Sequence, residues 1–238
     1  MRIISLLLLL LRAVKSLSIQ EQFYWRRAAM PLAEAAGLEN HELATASSIL
    51  HSVLASDPES LESSLRALSR SAHESLRILE ALIPADECAS LCKLCDENVF
   101  SQLAQDNVDR LPDFQVNVDT LTNLPVSEET RSLLADLPRS LFDCQSSPSR
   151  IGIFIRRYCS ETRPYFPWHI DGNAFTANVA LSSPNDYSGG HLRVLVEDSI
   201  RTLKRNQGDV TVHTNAVCHA VSPVDFGVRH TMLLFYHM

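Results

Sequence analysis

The chain has 238 residues, is 45% apolar, and carries 21 Lys and Arg against 28 Asp and Glu, a formal net charge of −7. Such a length holds one sizeable domain plus an extension. The basic residues are scattered among acids, which excludes a nucleic-acid groove binder, because phosphate affinity comes from clustered Lys and Arg.

Residues 1–18 read MRIISLLLLLLRAVKSLS: Arg2, an apolar run from Ile3 to Leu11, then small residues at Ala13, Ser16 and Ser18. A basic start, a short apolar core and a small-residue exit resemble a secretory signal peptide. That predicts the endoplasmic reticulum lumen or secretion. Arg12 and Lys15 directly behind the run keep an organellar transit peptide open. The run is shorter than the roughly 20 residues that span a bilayer, so no stable transmembrane span is expected.

Residues 19–76 read as a helical extension. Asp57-Pro58-Glu59 has the chemistry of a helix start: a capping acid, Pro in the first turn and a negative charge at the positive end of the dipole. Leu61, Leu65, Leu68, Ala72, Leu76 and Leu79 then recur at helical spacing, as a packing stripe or a dimer seam. The oligomeric state stays open.

A second helix is predicted from Ala85 to Val99. Cys88, Cys92 and Cys95 have a metal-like spacing, but with Leu91 and Val99 they fall on one helical face. Cysteine packs as a small buried hydrophobe, and no fourth ligand accompanies the three. DFQVNVDTL (Asp113–Leu121) alternates like a strand, and SEETRSLLADL (Ser127–Leu137) is a helix capped by Ser127.

After Ser149 strand-like runs dominate: Ile151–Tyr158, Ala174–Leu181, His191–Val196, Gly208–His213 and Val228–Tyr236. Turn residues separate them, which predicts a β-sandwich or barrel behind a helical first part, an α+β arrangement.

Within this region stands Pro167-Trp168-His169-Ile170-Asp171-Gly172. Residues i and i+2 of a strand share a face, so His169 and Asp171 would aim at one point. A second histidine would complete a two-His, one-carboxylate set that holds a metal on one side and leaves the other open, as in non-haem Fe(II) oxygenases. His191, His213, His219 and His230 are the candidates. His219 is the best placed, because Arg229 follows ten residues later and a turn at Pro223–Gly227 would return the next strand beside it. Arg229 could grip a carboxylate with its planar fork, with Thr231 on the same face.

Four blocks in order resemble the Fe(II)- and 2-oxoglutarate-dependent dioxygenases, in particular their prolyl 4-hydroxylase-like branch. They are LIPADECASLC, RYCSETRPYFPWHIDG, TANVALSSPNDYSGGHLRV and GDVTVHTNAVCHAVSPVDFGVRHTMLLFY. The resemblance covers residues 77–238. It implies a double-stranded β-helix (jelly-roll) core with N-terminal helices packed on it, and iron held by His169, Asp171 and His219. It further implies 2-oxoglutarate bound through Arg229, with Thr231 and Tyr158 as helpers. The implied activity uses O₂ and couples oxidative decarboxylation of 2-oxoglutarate to hydroxylation of a C–H bond, in peptidyl proline by preference, with ascorbate as a supporting reductant. A free amino acid or other small molecule is the alternative substrate. Two other classes stay open: a non-catalytic β-barrel binding module, and a cupin-like protein holding a different metal.

Overall fold

The computed structural model describes residues 76–238, other than 102, 143, 197, 198 and 216. The signal-like segment 1–18 and the helical extension, up to residue 75, lie outside the described residues. So do the Asp57-Pro58-Glu59 start and the leucine stripe as far as Ala72.

Two antiparallel sheets build the core. The larger has the order β1 (Leu76–Leu79), β9 (Val210–Thr214), β5 (Phe175–Ala180), β11 (Val224–His237), β3 (Arg150–Cys159) and β2 (Gln115–Val118), with β6 (Tyr187–Gly189) also pairing β11. The smaller runs β4 (Phe166–His169), β10 (His219–Val221), β7 (Leu192–Val196) and β8 (Ser199–Leu203). Helices α1 (Ala85–Asn98) and α2 (Glu128–Leu141) complete a jelly-roll, the double-stranded β-helix. Among the described residues, no helix is long and apolar enough to cross a membrane.

Both helices cover one face of the large sheet. Cys88, Leu91, Cys95 and Val99 are fully buried against Ile155, Met232 and Leu234. Burial pushes the Cys88 thiol up to about 11, and those of Cys92 and Cys95 up to about 12. These are neutral packing groups, not thiolate ligands. Ser127 caps α2 by accepting a hydrogen bond from the Thr130 amide, and the Tyr236 hydroxyl ties β11 to α2 by donating to the Leu134 carbonyl at 2.7 Å.

Two expectations are corrected. Leu76 and Leu79 do not continue a helical stripe; they belong to β1, which pairs with β9 from Leu76↔His213 to Leu79↔Val210. Residues three apart share a helix face but lie on opposite faces of a strand, so the spacing alone favours a helix, and pairing with the edge of β9 overrides it. The turn after Val221 does not fold β11 back beside His219. β10 is flanked by β4 and β7, whereas β11 lies between β3 and β5, so the turn carries the chain from one sheet to the other.

Just inside β11, Gly227 lets the strand close on β6. Its φ is +78°, and a Cβ there would lie 2.1 Å from the Asp186 carbonyl oxygen. Gly227→Ala is therefore expected to cost at least about 2 kcal/mol, combining left-handed strain with a backbone clash. Urea unfolding of the two proteins checks this, and equal midpoints would show that β6 and β11 can separate freely.

Candidate metal centre

β4 and β10 are neighbours in the small sheet, and His169 stands directly opposite His219. Directly opposed residues hold their Cβ atoms about 4.5–5.5 Å apart, and the two imidazole rings sit 4.3 Å apart, centre to centre. Asp171 follows just beyond the end of β4 and is buried. His169 Nε2 lies 3.3 Å from Asp171 Oδ1, and His219 Nε2 lies 3.8 Å from Asp171 Oδ2. One ligand atom from each of the three falls within 4.8 Å of the other two. Donors bound about 2.0–2.1 Å from one cation stand no more than about 4.2 Å apart, so both distances to Asp171 fit a shared ion.

The tautomers also fit. His169 Nδ1 lies 2.8 Å from the Pro167 carbonyl and His219 Nδ1 lies 3.1 Å from the Val217 carbonyl. A carbonyl only accepts, so each Nδ1 carries the proton and each Nε2 turns a lone pair inward. Burial drives the His219 imidazolium down to about 3, so this ring is neutral at neutral pH. Burial by itself would raise the Asp171 carboxyl, and positive charge at the His219 and His169 ring nitrogens, from a proton or a bound cation, is what outweighs it and holds the group below the usual range. A buried carboxylate facing imidazole lone pairs is a donor set for a divalent cation. Its nitrogen and oxygen composition suits Fe(II).

Asp171 is itself held in place. Thr176 Oγ1 donates to Asp171 Oδ2 at 2.5 Å, and Asn173 Nδ2 donates to Thr176 Oγ1 at 2.9 Å. These orienting residues escaped the sequence reading. Thr176 lies on β5 in the other sheet, and nothing in the local pattern marks it.

The three residues open into a cavity of about 250 Å³, also lined by Phe154, Arg156, Tyr158, Asn178, Leu233 and Phe235. Tyr158 pairs across β3 and β11 with Arg229, whose Cζ sits 4.9 Å from the centre of the Tyr158 ring. Arg229 is 2% exposed, and neither of its Nη atoms has a hydrogen-bond partner among the described residues. Gly190 makes room for it: a Cβ there would come within 3.0 Å of Arg229 Cδ. A second cation, Arg205, stands close enough that burial and the Arg229 charge together push it down to about 9. Arg205 Nη1 donates to the Asn178 carbonyl and to Asn178 Oδ1. Thr231 Oγ1 lies 2.7 Å from both Asn178 Oδ1 and the Val179 carbonyl, so its one proton is already given to one of them.

Of the remaining candidates, His213 on β9 is buried beside the triad, its Nε2 3.8 Å from Asp171 Oδ2 and its Nδ1 3.0 Å from the Thr214 carbonyl; the others lie elsewhere. His191 is exposed just before β7. His230 faces α1, with Nε2 2.9 Å from Asp96 Oδ1. Trp168 packs on Cys218 and Ala220. The Met232–Phe235 run does not line the cavity as a whole: Leu233 and Phe235 do, while Met232 and Leu234 face the helices.

No family profile matches the sequence, and neither does any curated protein. Solved structures do. A prolyl-4-hydroxylase of Pseudomonas putida superposes with a TM-score of 0.55 at 17% identity, over 73% of this chain and 99% of that one. A prolyl hydroxylase of Trichoplax adhaerens, in complex with a hypoxia inducible factor oxygen degradation domain peptide fragment, gives 0.52 at 13%, over 76% and 94%. The viral collagen prolyl hydroxylase of Paramecium Bursaria Chlorella virus-1, as its 2OG complex, gives 0.50 at 14%, over 68% and 94%. The chain shares the double-stranded β-helix fold of these proteins.

Proposed function

We propose that the chain is an Fe(II)- and 2-oxoglutarate-dependent dioxygenase that hydroxylates a C–H bond, with peptidyl proline as the preferred substrate. His169, Asp171 and His219 would hold the iron, and bound iron supplies the activation of O₂ that no amino-acid side chain provides. The observation that carries the reading is Arg229. Burying a guanidinium with both Nη atoms unpaired costs several kcal/mol unless an anion completes it. A diacid that chelates a metal at one end and extends a carboxylate at the other is such an anion, and Tyr158, on whose ring Arg229 sits, lines the same cavity as the triad. A cupin-like site for a different metal gives Arg229 no partner.

The protein's own work is orientation. The Tyr158 ring face holds the guanidinium by a cation–π contact. Arg205 adds positive charge beside it and fixes Asn178, and Thr231 bonds the same Asn178 side chain or the neighbouring carbonyl. Leu233, Phe235 and Phe154 keep the cavity wall apolar, so water is excluded from the reacting atoms. The mouth carries exposed apolar residues Ile170 and Val108. An extended chain resting on that rim would place one side chain inside a cavity too small for a whole peptide. The peptide bound to the Trichoplax enzyme and the 2OG bound to the viral one support this choice by analogy of fold. The signal-like N-terminus supports action on proteins of the secretory pathway.

Purified protein given Fe(II), ascorbate, 2-oxoglutarate and a panel of proline-rich peptides should release succinate and add one oxygen to a prolyl residue, read by mass spectrometry. Succinate without peptide oxidation rejects the prolyl substrate and leaves a free amino acid or small molecule. Failure to take up metal favours the non-catalytic binding module. Arg229→Ala should raise the KM for 2-oxoglutarate roughly 10- to 100-fold, the equivalent of losing a charge-assisted hydrogen-bond pair worth about 1.5–3 kcal/mol. An unchanged KM would move the cosubstrate carboxylate elsewhere.

A further inference from the structure

Two neighbouring strands of the large sheet turn polar side chains toward the site in successive rows. On β5, Ala177 and Val179 belong to the apolar core under the helices, and on β9 so do Val210 and Val212. Side chains alternate along a strand, so Thr176, Asn178, Thr211 and His213 take the opposite face. Thr176 pairs with His213 across the strands, and Asn178 with Thr211. The first row touches the metal carboxylate: Thr176 Oγ1 donates to Asp171 Oδ2, and His213 Nε2 lies 3.8 Å from it. The second row stands two residues along, roughly 7 Å away. Asn178 is 3% exposed and lines the cavity shared by His169, Asp171 and His219.

The amide of this second row is held with one face outward. Arg205 Nη1 donates to Asn178 Oδ1 at 2.8 Å, and Thr231 Oγ1 lies 2.7 Å from the same oxygen. A guanidinium has only donors, so it meets the amide oxygen and not the nitrogen. Turning the amide over would set Nδ2 against Arg205. Both bonds fall on Oδ1, which leaves Nδ2 to the cavity. A charged donor on the oxygen also polarises the amide and strengthens the N–H groups as donors. Thr211 is fully buried, and its hydroxyl has no hydrogen-bond partner among the described residues. On the other side of Asn178, Leu233 on β11 and then Phe154 on β3 offer no acceptor. Two donors therefore stand side by side, one row from the metal carboxylate, and an oxygen that accepts from both completes them.

We propose that Asn178 and Thr211 bind the chelating end of the 2-oxo acid, the Asn178 amide and the Thr211 hydroxyl donating to its metal-proximal carboxylate. The inference deepens the reading of the chain as a 2-oxoglutarate-dependent enzyme and rests on it. Arg229 meets the far carboxylate, and these two residues meet the near one. Arg205 is then a positioning residue, because it fixes which face of the Asn178 amide the ligand meets.

Binding is the readout, separate from turnover. Calorimetry on the Co(II)-loaded protein measures affinity for 2-oxoglutarate and for 2-oxobutyrate, which keeps the chelating end and lacks the distal carboxylate. Asn178→Leu and Thr211→Val should each weaken both acids by a similar factor, roughly tenfold, with Co(II) affinity as in the wild type. Arg229→Ala should weaken 2-oxoglutarate and leave 2-oxobutyrate unchanged. If the first two variants lose affinity for 2-oxoglutarate alone, the donors serve the far carboxylate and the assignment is overturned. Unchanged affinity for both acids in both variants overturns the proposal and leaves the dioxygenase reading standing. No binding of 2-oxoglutarate by the Co(II)-loaded wild type overturns both. If Asn178→Leu does not fold, Thr211→Val still decides, since it exchanges a hydroxyl for a methyl of nearly the same size. Asn178→Asp gives a further comparison, keeping the acceptor for Arg205 and Thr231 while removing the donor; an affinity equal to that of the wild type overturns the role of Asn178.

Discussion

One buried negative charge organises this molecule. Asp171 is withdrawn from water, and removing a carboxylate from water costs several kcal/mol unless something positive or proton-donating surrounds it. The protein supplies one hydroxyl from Thr176 and then turns imidazole lone pairs toward it from both sheets. Lone pairs do not stabilise a carboxylate. The arrangement becomes favourable only when a cation completes it, so much of the local structure is preparation for an ion. Each backbone carbonyl that pins an Nδ1 serves the same end, since it fixes the tautomer that a metal needs.

The second uncompensated charge is of opposite sign. Arg229 is buried with its fork unpaired, and Arg205 stands near enough to be pushed down by it. A half-buried, hydrogen-bonded Arg205 beside the buried Arg229 concentrates positive charge that an anion would offset. Tyr158 lines the cavity together with the triad and carries Arg229 against its ring, so it links the donor-rich centre to the cationic corner. A ligand carrying a chelating group at one end and a free carboxylate at the other matches that polarity. A neutral or monopolar molecule leaves one end in deficit.

How much of this was legible in the sequence depends on how far apart in the chain the partners lie. His169 and Asp171 could be paired from strand alternation alone. The buried stripe of Cys88, Leu91, Cys95 and Val99 could be read from helical spacing. Arg229 could be assigned a carboxylate from its chemistry and its distance from His219. The reading was poorer where two sheets meet. Thr176, Asn173 and Arg205 have no local pattern that announces them. His213 could be noticed only as a rival to His219, because the meeting of β9 with β4 and β10 around Asp171 is a tertiary fact. The helical reading of Leu76 and Leu79 failed for a related reason. A spacing of three is a helical signal, and the edge of β9 that overrides it is a tertiary fact.

Strand β11 shows how these pieces are kept in step. Its odd-numbered residues Arg229, Thr231, Leu233 and Phe235 share the face of Tyr158 and Phe154, and Leu233 and Phe235 line the cavity with them. Its even-numbered residues His230, Met232, Leu234 and Tyr236 face the helices. A slip of one residue against β3 would exchange the two sets. It would put the Arg229 charge into the apolar layer under α1 and leave the cavity walled by His230 and Met232. Three contacts oppose that slip at well-separated points. Tyr236 is bonded to Leu134, His230 to Asp96 with Ser182 accepting from its amide, and Gly227 is pressed against Asp186. None of the three touches the metal ligands. They fix the register of a long strand, and the register alone decides whether a guanidinium or an imidazole stands behind Tyr158. In this fold the chemistry of the site is set as much by where β11 is pinned as by the residues that would meet the ion.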